Sequence, residues 1–305
     1  MSIPAADGPP TVAAVVREQL LAGSSLEMTG DDAGALVAAR HLLTDGTRVN
    51  ITFLAREDLA IRIEAARTVV ALGLTPVPHI AARRMRSEED LQEHLSAFRS
   101  VGAANNLLLV GGDPASPLGP FASVAELLRA TSLADLGVQA VSLAGYPEGH
   151  PKIDPSYLVS ELATKLDLLR QQGISADIVT QFSFDADAIL GWIERTRKAG
   201  VQVPIRIGVP GPAGVNQLLR FARRFGVASS AAVVRSYGLS LTGLLGTTGP
   251  DRLVAAISER YSRARHGEIA LHFYTFGGIA ATARWIMDAR DVRALDMSGE
   301  TEERQ

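Results

Sequence analysis

Six short segments of this chain set polar, chemically capable residues at the ends of apolar runs. They are Glu27 in SSLEMT, His79 in PVPHIA, Gly112 and Asp113 in VGGDP, Tyr146, Glu148 and His150 in AGYPEGHP, Gln181 in TQFSFD and Tyr274 in LHFYTF. A carboxyl group or an imidazole can pass a proton near neutral pH, and an amide offers donor and acceptor together. The chain has no cysteine, which excludes disulfides, thiol nucleophiles, iron–sulfur clusters and cysteine-based zinc sites. Redox chemistry would therefore need a bound cofactor. The six histidines are scattered, with no HxxxH or HxH spacing, so no metal site is expected. The glycine-rich pieces GVPGPAG and LLGTTGP lack the phosphate-cradling patterns and read as turns, and no GxSxG elbow activates a serine.

Residues so placed need strands to carry them. Short β-rich runs alternate with longer runs of helical period, with Gly, Pro, Asp or Ser at most changeovers, the pattern of parallel βα units. Eight strands are predicted, at Ser25–Met28, Arg48–Phe53, Thr75–His79, Asn106–Val110, Ala140–Ala144, Ile178–Gln181, Val203–Val209 and Glu268–Phe273. Helices are predicted at Asp58–Leu72, Ser87–Ser100, Pro155–Gln172, Ala186–Ala199 and Gly214–Phe225, with Ser87 and Asp90 as a capping box and Gly73, Gly173 and Gly200 as stops. Eight such units favour an α/β fold of the (βα)8 TIM-barrel type over an open doubly wound sheet.

At 305 residues and 47% hydrophobic content the chain suits one such domain. The expected layout is an N-terminal extension over residues 1–20, a barrel over 21–292 with a helical insertion at about 227–265, and a disordered tail over 293–305. A net charge of −3 with interspersed signs points to neither nucleic acid nor membrane as partner. The opening MSIPAADGPP has no leader pattern and no run is long enough to span a bilayer, so a cytoplasmic protein is expected. Barrels of this size often associate, which leaves a homo-oligomer open.

The residues at or just past the strand ends form a polar ring: Glu27, Thr52, His79, Asp113, Tyr146 with His150, Gln181, the turn Val209–Pro212, and Tyr274. Barrel enzymes work at that end. A buried polar group costs about 1–3 kcal/mol when unsatisfied, so convergence of this many points to a ligand. Taken singly, Glu27 also reads as half of an ion pair, and His79 or His272 as a core imidazole bonded to a carbonyl.

In combination the motifs resemble the methylenetetrahydrofolate reductase family from about Ser25 to Ala289. SLEM resembles that family's first strand with its catalytic Glu at Glu27, PHI carries His79, VGGDP the loop Asp at Asp113, AGYPEGHP the signature with Tyr146 and His150, TQFSFD the TQxxFD segment with Gln181 and Asp185, and LHFYTF the HFYT strand with Tyr274. The resemblance implies a (βα)8 barrel that reduces 5,10-methylenetetrahydrofolate to 5-methyltetrahydrofolate with NADH or NADPH, in family members through FAD. It implies Glu27 as general acid, Asp113 as the group that orients the folate and stabilises positive charge, and Gln181 and Tyr274 as substrate contacts. It also implies Thr52, His79, Gly112, Tyr146, His150 and Lys165 as cofactor contacts.

The departures are selective. The family's Arg before the Gly-Asp of the fourth loop is Gly111 here, the Asn and Arg of the helix after AGYPEGHP are Glu161 and Thr164, the aromatic after the seventh strand is Val215, and the Arg past HFYT is Gly278. Arginine binds phosphate by charge-assisted, often bidentate bonds, and a Glu beside a pyrophosphate repels it. FAD is disfavoured on these grounds, and direct hydride transfer from NADH to the folate is the leading expectation. An FAD-dependent reductase, a folate-binding accessory subunit without redox activity and a folate-dependent methyltransferase barrel are the alternatives.

Overall fold

The structure is a computed structural model that describes residues 11–55, 57–227 and 247–290. Eight parallel strands close a barrel: β1 (Ser25–Met28), β2 (Arg48–Ile51), β3 (Thr75–Ala81), β4 (Asn106–Val110), β5 (Ala140–Gly145), β6 (Ser175–Thr180), β7 (Ile205–Pro210) and β10 (Ile269–Tyr274). They follow one another around the ring in chain order, and β10 returns to β1 through Ser25 opposite His272. A small antiparallel pair, β8 (Ala213–Gly214) with β9 (Thr247–Thr248), lies outside the barrel. The (βα)8 expectation holds.

Period-two alternation decides which side chains face which layer. In β10, Ile269, Leu271 and Phe273 join the main core beneath the helices, while His272 and Tyr274 take the other face. The same alternation sends Ile205, Ile207 and Val209 of β7 outward. Inside the barrel, Val77, Leu108 and Val179 form their own apolar cluster. Below it, Arg48 reaches across from β2 to Ser142 Oγ on β5 at 3.1 Å and to Asp177 on β6 at 3.5 Å. Arg206 shares the same aspartate at 3.0 Å and donates to the Gly23 carbonyl. Two guanidinium groups around one carboxylate thus close the floor.

Strand ends differ from expectation by small amounts that have local causes. β2 stops at Ile51 because Phe53 leaves the ladder to stack on the Arg62 guanidinium, 4.0 Å from the ring centroid, although the Thr52 amide still donates to Met28 O at 2.9 Å. β3 runs on to Ala81, and β6 begins at Ser175.

The helices are α1 (Val12–Ala22), α2 (Ala33–Ala39), α3 (Leu59–Ala71), α4 (Glu88–Ser100), α5 (Val124–Ala130), α6 (Pro155–Gln171), α7 (Ala186–Lys198), α8 (Val215–Phe225), α9 (Asp251–Arg260), α10 (Arg263–His266) and α11 (Ile279–Arg290). Their caps are chemical. Ser87 accepts from the Asp90 amide at 3.2 Å, while the Asp90 carboxylate turns to the Arg86 amide at 2.9 Å; Asp185 caps α7 through the amides of Asp187 and Ala188.

Two of the expected boundaries fall differently on the fold. α1 crosses residue 20 and packs on α9, α11 and β10 as part of the barrel's outer layer. Within the segment expected as an insertion, α9 packs between α7 and α1, the outer-ring place that follows β7. α8 is then the added helix, seated over Phe182, Phe184, Tyr274 and Phe276 at the strand C-termini. The rest of that segment, residues 228–246, and the expected tail at 293–305 lie outside the described residues. No described helix is long and apolar enough to cross a membrane.

Arg197, buried in the last turn of α7, fastens the start of β10 to the turn before β7. It donates to the carbonyls of His266 (2.9 Å), Val201 (2.9 Å), Val203 (2.7 Å) and Glu268 (3.1 Å). Bonds from a charged donor contribute about 1.5–3 kcal/mol each, and their loss here leaves buried acceptors unmet. Arg197→Ala is expected to lower unfolding free energy by about 3 kcal/mol, read from the urea midpoint; an unchanged midpoint would show that water replaces the guanidinium without loss.

Candidate active site

The C-terminal ends of the strands bring Glu27, His79, His272 and Tyr274 together. Glu27 and His272 sit on adjacent strands, and Glu27 Oε2 lies 3.6 Å from His272 Nε2. The imidazole is fully buried, and its Nδ1 shares a 2.9 Å hydrogen bond with Ser25 Oγ. A proton on Nε2 lets Ser25 donate to Nδ1 while the ring faces the carboxylate. The Glu27 side chain keeps 21% of its surface exposed, so it reaches the mouth and its support does not. His272 is buried in the core as the sequence suggests, but its partner is the Ser25 hydroxyl and not a carbonyl, and it is also the neighbour of the carboxylate. The alternation that aims Tyr274 inward aims His272 inward too, which is the signal for its place.

His79 is buried beside this pair, and burial pushes its pKa down to about 4, against a smaller pull from Glu27 and with minor help from His272 and Arg62. It is therefore neutral at neutral pH. Its carbonyl accepts from the Arg62 guanidinium, which is wholly buried between Phe53 and Phe98. Burial lowers Arg62 to about 10, with Glu57 opposing the shift. Nothing in the sequence marks Arg62, which lies mid-helix among apolar and charged neighbours. Tyr274 donates to the Thr180 carbonyl at 3.1 Å, and burial, followed by the charge of Glu27 and then Tyr146, holds its phenol well above the usual range. Phe182 and His272 present ring edges to it at 5.2 and 5.1 Å.

The other candidate residues line the rim. Tyr146 and His150 meet edge to face at 5.4 Å, and His150 Nδ1 accepts the Lys152 amide at 3.2 Å. Burial raises the Tyr146 phenol. Glu148 accepts from Ser183 Oγ at 2.6 Å, tying the fifth loop to the sixth. Gln181 Oε1 accepts the Phe182 amide at 3.1 Å, which leaves the amide's donors as its remaining hydrogen-bonding capacity. Thr52 Oγ1, Asn50 Nδ2, His79 Nε2 and His272 Nε2 are buried with no hydrogen-bond partner. Unmet polar atoms of this kind await a ligand or water.

Three candidates lie apart from this group. Asp113 projects from the fourth loop with 76% of its side chain exposed, and its Oδ1 accepts from Arg84 Nε at 2.9 Å and from Nη2. Gly112 before it has φ 93°, a backbone that favours glycine. Lys165, expected as a cofactor contact, is mostly buried on α6, with its ammonium 3.7 Å from Glu161. Burial lowers its pKa, against the attraction of Glu161. Its charge is already engaged.

A family model described as methylenetetrahydrofolate reductase matches residues 30–283, a span that starts just after Glu27. Three relatives carry related names. "Methylenetetrahydrofolate reductase 2" of Saccharomyces cerevisiae is 29% identical over 50% of this chain and 26% of its own. "Methylenetetrahydrofolate reductase (NADH) 1" of Arabidopsis thaliana is 28% identical over 55% and 30%. "5,10-methylenetetrahydrofolate reductase" of Salmonella typhimurium is 27% identical over 67% and 66%. The chain thus spans between about a quarter and two thirds of these relatives' lengths. A dihydropteroate synthase from Thermus thermophilus superposes with a TM-score of 0.42 at 17% identity over 87% of this chain and 93% of that one, a likeness too loose to carry an argument.

Proposed function

The chain belongs to the methylenetetrahydrofolate reductase family, and from that premise we propose that it reduces 5,10-methylenetetrahydrofolate to 5-methyltetrahydrofolate with NADH, or with NADPH, as reductant. The observation that carries this reading is the placement of Glu27 at the mouth, backed by a buried histidine and flanked by groups that stay neutral.

The chemistry needs a proton before it needs a hydride. Protonation of N10 breaks its bond to the methylene carbon and leaves a 5-iminium cation; hydride from nicotinamide C4 then adds to that carbon, giving the methyl group and the oxidised nicotinamide. Glu27 is the proton donor in this scheme, and its carboxylate then lies close to the cation it has generated. Tyr274 and His79 do not substitute for it: the phenol is too weak an acid, and the imidazole is almost never protonated at neutral pH. The amide N–H groups of Gln181 meet acceptors on the pterin, and Asp113 accepts from its N–H edge.

The hydride passes directly from the nicotinamide to the folate in this reading. Binding FAD would require cations for its pyrophosphate. Support comes from Lys165, held by Glu161, and from Gly111, where an added Cβ would meet nothing within 4 Å; the arginine missing there was not excluded by packing. Neither position thus offers a free cation to a flavin dinucleotide's phosphates. Direct transfer instead needs C4 about 3–3.5 Å from the iminium carbon, and Tyr146 and His79 are the residues that would hold the nicotinamide there. Thr52 Oγ1 and His79 Nε2, both buried and unpartnered, are available to its amide.

The test is NADH oxidation by flavin-stripped protein on addition of methylenetetrahydrofolate, followed with and without FAD. Turnover without FAD is the expected result. Turnover only with FAD would restore a flavin-linked route, and folate binding without any oxidation would favour an accessory role.

A further inference from the structure

We propose that Arg84 is a positioning residue for Asp113, which rests on the reading of Asp113 as a folate contact. The fourth loop cannot fix this carboxylate by itself. Two consecutive glycines, Gly111 and Gly112, precede it, the second at φ 93°, and the aspartate side chain is 76% exposed. An exposed side chain on such a loop has several rotamers open to it even where the backbone is held.

Arg84 removes that freedom from the neighbouring loop. It stands in the short 3-10 turn that follows β3, only 16% exposed, with its guanidinium carbon 5.9 Å from the centroid of Phe53. Phe53 is itself held by the buried Arg62. The arginine is thus the anchored partner and the aspartate the exposed one. Nε and Nη2 both engage Oδ1, so the guanidinium pins one carboxylate oxygen in place, which restricts the side-chain rotamer, and leaves Oδ2 for a ligand N–H.

Arg83 has a separate task, which makes it a useful control. Its guanidinium donates to the carbonyls of Pro114 (3.0 Å), Ala122 (3.0 Å) and Ala115 (2.6 Å), holding the course of the loop without touching Asp113. Gly119 packs so closely on the backbone of Arg86 that an added Cβ would lie 2.3 Å from its carbonyl oxygen. Loop course and carboxylate orientation therefore depend on different residues.

The experiment measures binding of 5-methyltetrahydrofolate to the full chain by calorimetry for Arg84→Ala, Arg84→Lys, Asp113→Ala and the double variant. Binding is read directly, so the result stands whichever reductant the protein uses. Arg84→Ala is expected to weaken binding about tenfold alone and to have no further effect when Asp113 is already Ala. Arg84→Lys, which retains one of the two donors, should recover part of the loss. With turnover, the loss should fall on KM while kcat stays within about twofold. An equal effect of Arg84→Ala in both backgrounds would overturn the proposal. An unchanged affinity in Asp113→Ala would overturn the Asp113 assignment itself, and with it the premise.

Discussion

Replacing Glu27 by Gln is expected to lower kcat about 10²–10⁴-fold, the range over which a positioned general acid contributes, while folate binding changes little. The amide retains the size of the carboxyl and can still face His272 Nε2, so the architecture of the site survives. What disappears is the transferable proton and the negative charge beside the iminium cation. The neighbours are poor replacements, since burial keeps His79 neutral and Tyr274 a phenol. Steady-state NADH oxidation, paired with folate binding by calorimetry, separates the two effects. Full turnover in Glu27→Gln would remove Glu27 from the acid role and turn attention to His272.

His79 should make the fold acid-sensitive in a defined window. The unfolded chain protonates this imidazole near 6.5, whereas the folded chain resists until about pH 4, mainly because the ring is buried. Between those values unfolding takes up a proton, so stability falls as pH falls; the contribution is complete above 6.5 and gone below about 4. A difference of this size in proton affinity between the folded and unfolded chains corresponds to about 3 kcal/mol of stability. Urea midpoints at about pH 7 and about pH 4 for the native chain and for His79→Asn provide the measurement. The variant should lose this part of the pH dependence, and identical slopes would place the acid sensitivity elsewhere.

The barrel was legible in the sequence because alternation within strands and capping at helix starts are local properties. A run such as AVSLAG declares its inward and outward faces by itself, and Ser87 and Asp185 declare helix starts within four residues. The ring of residues at the strand ends followed from the same periodicity, and the structure gathers Glu27, His79 and Tyr274 accordingly. Partners set by tertiary packing were not legible. Neither the Arg84 hold on Asp113 nor the course of Arg62 from α3 to the His79 carbonyl leaves a periodic trace. Lys165 illustrates the opposite limit. Its partner Glu161 is one helical turn away, and i,i+4 pairing follows from spacing alone, whereas the resemblance implies a cofactor contact. The extent of the segment after β7 was equally hidden, because α8 and α9 are both amphipathic helices and only packing distinguishes the one over the mouth from the one in the ring.

The floor formed by Arg48, Asp177 and Arg206 makes the chamber a cul-de-sac. With one end stopped by paired charges and by the apolar layer of Val77, Leu108 and Val179 above them, the way to Glu27 and its neighbours leads, among the described residues, past the strand C-termini.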